Sequence, residues 1–235
     1  MLIDGDNAQP SLIADVLAET AKYGVVTTRR IYGDWTTPQM SGWKDALHSY
    51  AVQPMQQFRY TTGKNSTDSA LIIDAMDLLH AGTVAGFCIV SSDSDYTRLA
   101  TRIREQGLFV MGVGRSQTPE SFVKACEIFV YTEILGPESK NERPTETASR
   151  SDDWTKMVAQ AIDMGLQDDG WAFLGAVGNH LRQLDSAFDP RTYGQNQLSL
   201  LIKSRPDLFE MPEPKTKSGP ALLYVRLKAE SSKAS

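Results

Sequence analysis

Two carboxylate-rich tracts stand directly behind short apolar runs. Asp4-Gly5-Asp6-Asn7 follows Leu2-Ile3, and Ser91-Ser92-Asp93-Ser94-Asp95 closes the run that begins at Gly86. A third acid, Asp68, opens a helical pattern in Lys64-Asn65-Ser66-Thr67-Asp68. If the two apolar runs are neighbouring strands, their backbones lie roughly 5 Å apart, and Asp4 and Asp93 can share one cation. Carboxylates gathered so closely repel one another, and at least one takes up a proton unless a positive charge intervenes. Hard oxygen donors with no soft sulfur beside them favour Mg²⁺ or Mn²⁺. Such an ion lowers the pKa of a coordinated water and offsets charge on a phosphoryl group. The implied chemistry is metal-assisted phosphodiester hydrolysis.

Each acid also has an ordinary reading. An Asp behind a strand often caps the next helix, and Asp95, just before Tyr96, suits that role. Asp74 and Asp77 lie further along the Asp68 helix and read as solvated or structural. Asp4-Gly5-Asp6 also fits the opening of a haloacid-dehalogenase-type phosphatase, but Ala8 stands where that pattern has Thr or Val. A small-molecule phosphatase therefore ranks below the nuclease reading.

These residues need strands and helices to carry them. Leu2-Ile3 reads as a strand and Pro10 to Tyr23 as a helix with Ile13, Val16 and Leu17 on one side. Val25 to Trp35 reads as a β-branched strand, 39–51 as a helix and Val52 to Tyr60 as extended. Thr67 to Ala81 forms a helix closed by Gly82, and Gly86 to Ser91 a strand buried on both faces. Tyr96 to Gln106 is helical, Leu108 to Val113 is a strand, and Thr118-Pro119 caps a further helix. This alternation predicts an α/β fold, doubly wound, with a mostly parallel sheet between helical layers. Such sheets bind ligands beyond the carboxyl ends of the strands, where strand order reverses.

Composition sets outer bounds. The 235 residues are 41% apolar and 23% charged, as in an ordinary globular chain. No apolar run is long enough to span a bilayer. No basic-then-apolar leader is present, which leads us to expect a cytoplasmic protein without membrane association. Cys88 and Cys126 sit in apolar surroundings and read as reduced core residues. The net charge of −5 counts mildly against nucleic acid, although a carboxylate metal site would itself supply negative charge.

Residues 136–151, GPESKNERPTETASRS, are nearly devoid of apolar side chains and read as a linker. Behind it, 152–228 shows three helical patterns, centred on Trp154 to Ile162, Phe173 to Leu181 and Leu198 to Ile202. Two extended pieces follow, Leu208 to Met211 and Ala221 to Leu227, separated by the polar PEPKTKSGP. Three helices and a β-hairpin make a winged helix. Residues 229–235 read as a disordered tail.

Three segments, Met1-LIDGDN, TGKNSTDSALIIDAMD and IVSSDSDYTRLATRIREQG, together resemble the NYN-domain branch of the PIN-like ribonuclease superfamily over most of 1–135. The third is the most specific. The resemblance implies a PIN-like three-layer α/β/α domain that cleaves RNA with Mg²⁺ or Mn²⁺. It places Asp4, Asp68, Asp93 and Asp95 on the family's acidic metal positions and Asn7 on the polar position beside the first Asp. One departure is that, after Met1, only Leu2 and Ile3 precede Asp4, where family members carry a longer apolar strand. The stretch from Trp154 to Leu227 resembles the OST-HTH (LOTUS) domain, through Asp169-Gly170, Phe188-Asp189, Tyr193-Gly194 and Leu208-Phe209. That family is associated with RNA binding.

Asn7 and further residues are candidates for substrate contact. Lys64 could meet a phosphate or simply be a solvated loop lysine. Trp35 could stack on a base or pack at a strand end. Arg98 and Arg102, four apart on one helix face, could track a phosphate backbone or face solvent. In the second domain Lys203, Arg205, Lys215, Lys217 and Arg226 could contact RNA, single-stranded or structured. Residues 151–235 hold ten Lys+Arg against eleven Asp+Glu, a balance that argues against strong non-specific binding and leaves a protein-partner surface open. The expected function is a metal-dependent ribonuclease with a tethered RNA-binding module. A non-catalytic RNA-binding regulator is the first alternative.

Overall fold

The computed structural model describes residues 1–58, 66–136, 153–212 and 222–228. Lys64, the linker residues from 137 onward, Lys215 and Lys217, and the 229–235 tail lie outside the described residues. The chain divides into two compact units, Met1–Asn141 and Glu142–Ser235. Among the described residues, no helix is long and apolar enough to cross a membrane.

The first unit is built on six parallel strands: β1 (Leu2–Asp4), β2 (Arg30–Gly33), β3 (Gln53–Gln56), β4 (Gly86–Val90), β5 (Phe109–Gly114) and β6 (Ile128–Tyr131). Their order is β3-β2-β1-β4-β5-β6, so the winding direction reverses between β1 and β4. Ile3 pairs with Val90 at that seam. The two tracts of aspartates therefore leave the sheet side by side, at the crevice where doubly wound sheets hold ligands.

Helices α1 (Ile13–Thr20), α2 (Lys44–Tyr50), α3 (Ser66–Ala81), α4 (Thr97–Glu105) and α5 (Glu120–Ala125) cover the sheet. Ile13 and Val16 of α1 and Trp43 ahead of α2 pack with Ile3, Val90 and Val113 in one core. On α3, Leu71, Ala75 and Leu79 are buried at four-residue spacing, which lays one helix face along its length against β1 and β2. Asp68 lies one turn before Leu71 on that face.

Several local expectations change. The strand expected over Val25 to Trp35 contains only Arg30–Gly33, and Val25 is 90% exposed. The neighbouring β1 offers just three residues to pair with, so the β-branched residues before Arg30 have no ladder to join. The helix expected from Pro10 begins as a 3-10 turn, Pro10–Leu12, and α1 ends at Thr20. Thr118 does not cap α5, because its hydroxyl donates to Arg115 O at 2.6 Å inside the preceding turn. Strand β6 was not expected: it follows α5 with no glycine or proline between them to mark a new element.

The second unit contains α6 (Asp153–Met164), β7 (Ala172–Phe173), α7 (Leu174–Leu184), α8 (Leu198–Lys203), β8 (Phe209–Glu210) and β9 (Tyr224–Leu227). Trp154, Val158, Ile162, Val177, Leu181, Ile202, Phe209 and Val225 form its core. The hairpin strands β8 and β9 are joined by β7 in the order β7-β9-β8, with antiparallel pairing throughout. Phe173 thus ends a short strand rather than lying inside the second helix.

Candidate functional site

Asp4 is the last residue of β1 and is fully buried. Its Oδ1 accepts from Asp6 N (3.0 Å). Its Oδ2 accepts from Asn7 Nδ2 (2.6 Å) and, across the seam, from Ser91 Oγ (2.8 Å). Burial pushes the Asp4 carboxyl above its usual range, and these donors pull it back. Asn7 stands beside Asp4 and spends its side-chain amide on that carboxylate.

The other tract is organised by Ser91 and Asp93. Ser91 Oγ accepts from Asp93 N (3.1 Å), and the Asp93 side chain accepts from Asp95 N (2.9 Å). Asp93, not Asp95, is thus the cap of the 3-10 turn Ser94–Tyr96 that leads into α4. Tyr96, fully buried at the end of that turn, donates its hydroxyl to Asp68 Oδ1 at 2.7 Å.

Carboxylate oxygens of Asp68, Asp93 and Asp95 lie within 4.8 Å of one another. Asp4 stands outside this group of three, although its charge and that of Asp68 act on each other. The Asp68 carboxyl is pushed above its usual range, first by burial and then by the charges of Asp93, Asp95 and Asp6, against the Tyr96 hydrogen bond. The Tyr96 phenol is itself pushed far up by burial and by the carboxylates around it, so it remains a protonated donor. A divalent ion suits this donor set: three hard oxygen ligands converge, the charges of Asp93 and Asp95 bear on Asp68, and both cysteines are buried elsewhere, in β4 and just behind α5.

The remaining candidates are spread out. Trp35 is half-buried against the sheet core and donates its indole N–H to Met55 O (3.1 Å), which makes it a packed strand-end aromatic. Arg98 is exposed and has no ion-pair partner among the described residues. Arg102 pairs with Glu105 (3.3 Å). Asp77 is exposed, whereas Asp74 is held by Arg30 and Tyr32 of β2 and ties α3 to the sheet. In the second unit Arg205 pairs with Asp207 (2.9 Å). Arg226 pairs with Glu210 (2.7 Å) and lies 4.3 Å above the Trp171 ring. Lys203 is exposed.

Sequence reasoning did not single out Ser91, Tyr96 or Asp6. Ser91 was discoverable, since it occupies the same strand-end position as Asp4 one strand over. The Tyr96 hydroxyl had no signal: an aromatic at a helix start reads as core, and its partner is 28 residues away.

Two family models match the chain. The NYN domain model matches residues 1–135, and the OST-HTH/LOTUS domain model matches 147–220. An uncharacterised protein of Nitrosomonas europaea, solved by solution NMR, is 38% identical. That match covers 40% of this chain and 82% of the other, with a TM-score of 0.30. The crystal structure of a protein of unknown function from Vibrio parahaemolyticus RIMD 2210633 is 16% identical. It covers 55% of this chain and 89% of the other, with a TM-score of 0.46. None of the curated proteins matches the chain. A parallel sheet that reverses between β1 and β4, with its acids at that seam, is a PIN-like arrangement, and the chain belongs to the NYN domain family, with an OST-HTH/LOTUS domain behind the NYN domain.

Proposed function

We propose that residues 1–135 are a Mg²⁺- or Mn²⁺-dependent ribonuclease and that residues 152–228, joined through a linker at 136–151, deliver RNA to it in the cytoplasm. The NYN family is generally a ribonuclease family, and OST-HTH/LOTUS domains bind RNA. The observation that carries the reading is the meeting of Asp68, Asp93 and Asp95 within 4.8 Å at the β1/β4 seam.

Asp68, Asp93 and Asp95 would hold the ion. When bound, the ion would activate water and offset the charge that builds on the phosphodiester. Asp4 plays a different part: its oxygens are already engaged by three donors, so it braces the floor of the site and adds negative potential next to Asp68. Ser91 serves as a tie, because its buried hydroxyl donates to Asp4 and accepts from Asp93 N. Arg98, exposed on the first turn of α4, supplies a cation for the RNA backbone near these acids. A tether between the two domains raises the local RNA concentration at the catalytic one.

The test is cleavage of labelled single-stranded RNA by purified protein with Mn²⁺, with Mg²⁺ and with chelator, beside Asp93→Asn. We expect cleavage that requires metal and is lost in the variant. Undiminished cleavage by Asp93→Asn would remove the site assignment. RNA that is bound but never cut, with any metal, would favour a non-catalytic regulator.

A further inference from the structure

The three carboxylates reach one another from two separate elements. Asp93 and Asp95 sit in and before one 3-10 turn, while Asp68 sits on α3. Tyr96 spans the gap. It belongs to the same turn as Asp95, is fully buried, and donates its hydroxyl to Asp68 Oδ1 at 2.7 Å. Its ring is fixed from behind by Phe122 of α5, with ring centroids 6.3 Å apart, and Phe122 packs in turn on Phe129 of β6 (5.8 Å). The hydroxyl is therefore held by the core, and the Asp68 carboxylate is held by the hydroxyl.

We propose that Tyr96 is a positioning residue that sets the distance and orientation of Asp68 relative to Asp93 and Asp95, and thereby sets the affinity of the site for a divalent ion. The inference rests on the metal reading above. Without the hydroxyl, Asp68 can turn about its side-chain torsions, and repulsion from Asp93 and Asp95 drives it away. With it, one oxygen stays committed to Tyr96 and the other is presented to the ion. Groups that orient metal ligands in this way typically change affinity by about 10–100-fold when removed. Tyr96→Phe keeps the ring and its packing and removes the hydroxyl alone.

The experiment is Mn²⁺ binding to the full chain by titration calorimetry, for wild type, Tyr96→Phe, Asp68→Asn and the double variant, with thermal melting of each in chelator. We expect Tyr96→Phe to fold and to bind Mn²⁺ about 10–100-fold more weakly. In the Asp68→Asn background the same change should have no further effect, because the hydroxyl acts through Asp68. RNA cleavage by Tyr96→Phe should need more Mn²⁺ yet approach the wild-type rate at saturation. Mn²⁺ affinity within about twofold of wild type, set against the effect expected of an orienting group, overturns the inference alone. So does a Tyr96→Phe chain that does not fold, which would make the hydroxyl a determinant of the fold. Absence of Mn²⁺ binding by the wild-type chain overturns this inference together with the metal reading.

Discussion

Ser91 Oγ donates to Asp4 Oδ2 at 2.8 Å, joining the ends of β1 and β4 across the point where the sheet reverses. The same oxygen accepts from Asp93 N, so a single hydroxyl links the buried acid to the loop that carries two of the three converging carboxylates. Ser91→Ala leaves a buried carboxylate oxygen one donor short and frees the Asp93 backbone. We expect a loss of about 1–3 kcal/mol in urea unfolding at neutral pH, together with weaker Mn²⁺ binding. Unchanged stability would show that Asn7 and Asp6 N alone suffice to hold Asp4.

Asp74 anchors α3 to β2. Arg30 and Tyr32 both donate to it, and the Arg30 Nε is buried without a hydrogen-bond partner, so Asp74 carries the compensation for this guanidinium. Asp74→Ala strands a half-buried cation and a buried phenol. The expected cost is about 2–4 kcal/mol, read as a lower denaturation midpoint with the unfolding slope unchanged.

Protonation of the acidic seam is linked to stability. Burial holds Asp4 and Asp68 above the ordinary carboxylate value, so the folded chain takes up protons more readily than the unfolded one. Their contribution is therefore complete below the unfolded carboxylate range and is lost as pH rises through the raised folded values. In chelator, Asp68→Asn should be more stable than wild type at pH 7, and the difference should shrink as pH falls toward 4. Mn²⁺ should raise the melting temperature of wild type and not of Asp68→Asn. A pH-independent difference would separate the Asp68 effect from its charge.

Close packing behind the site leaves no room for a methyl group at Gly114. A Cβ there would come within 2.5 Å of Ser91 O and 2.7 Å of Thr118 Oγ1, whereas one at Gly24 meets nothing within 4 Å. Gly114→Ala should cost about 1–3 kcal/mol and displace the Ser91 strand end. Gly24→Ala is the neutral control, and equal melting of the two variants would argue against the clash.

In the second domain, salt bridges sort the basic residues. Arg205 and Arg226 already face Asp207 and Glu210, whereas Lys203 is exposed. Lys203→Ala should therefore weaken RNA binding and lower the slope of log affinity against log salt by about 1. Arg205→Ala should change the slope less. Fluorescence anisotropy across a salt series checks both.

The extent to which the site could be read beforehand follows from how local each signal was. Asp4 and Asp93 were visible because each sits just behind a short apolar run, and a run buried in a sheet shows in the sequence without knowledge of its partners. Asp68 was visible as an acid in a helix's first turn, but its direction was not. For Asp95 a metal ligand and a helix cap were both open, because Asp93, two residues earlier, offers a side chain of the same kind, and only backbone geometry decides which one reaches the N–H of the turn. The overlong second strand had a related cause. β-branched residues favour extended backbone, but a strand ends where its neighbour ends.

Residue order alone determined the alternation of strands and helices, the winged-helix pattern of the second unit, and the placement of aspartates at strand ends, because hydrophobic periodicity and turn residues act over a few positions. Tertiary structure alone decided how those acids divide: Asp68 joins Asp93 and Asp95, while Asp4 is withdrawn among donors. It also recruited Ser91 and Tyr96, whose partners lie 87 and 28 residues away. Such pairings arise only when the order of strands brings β1 beside β4 and α3 packs against β1 and the turn that leads into α4, and no local pattern encodes that packing.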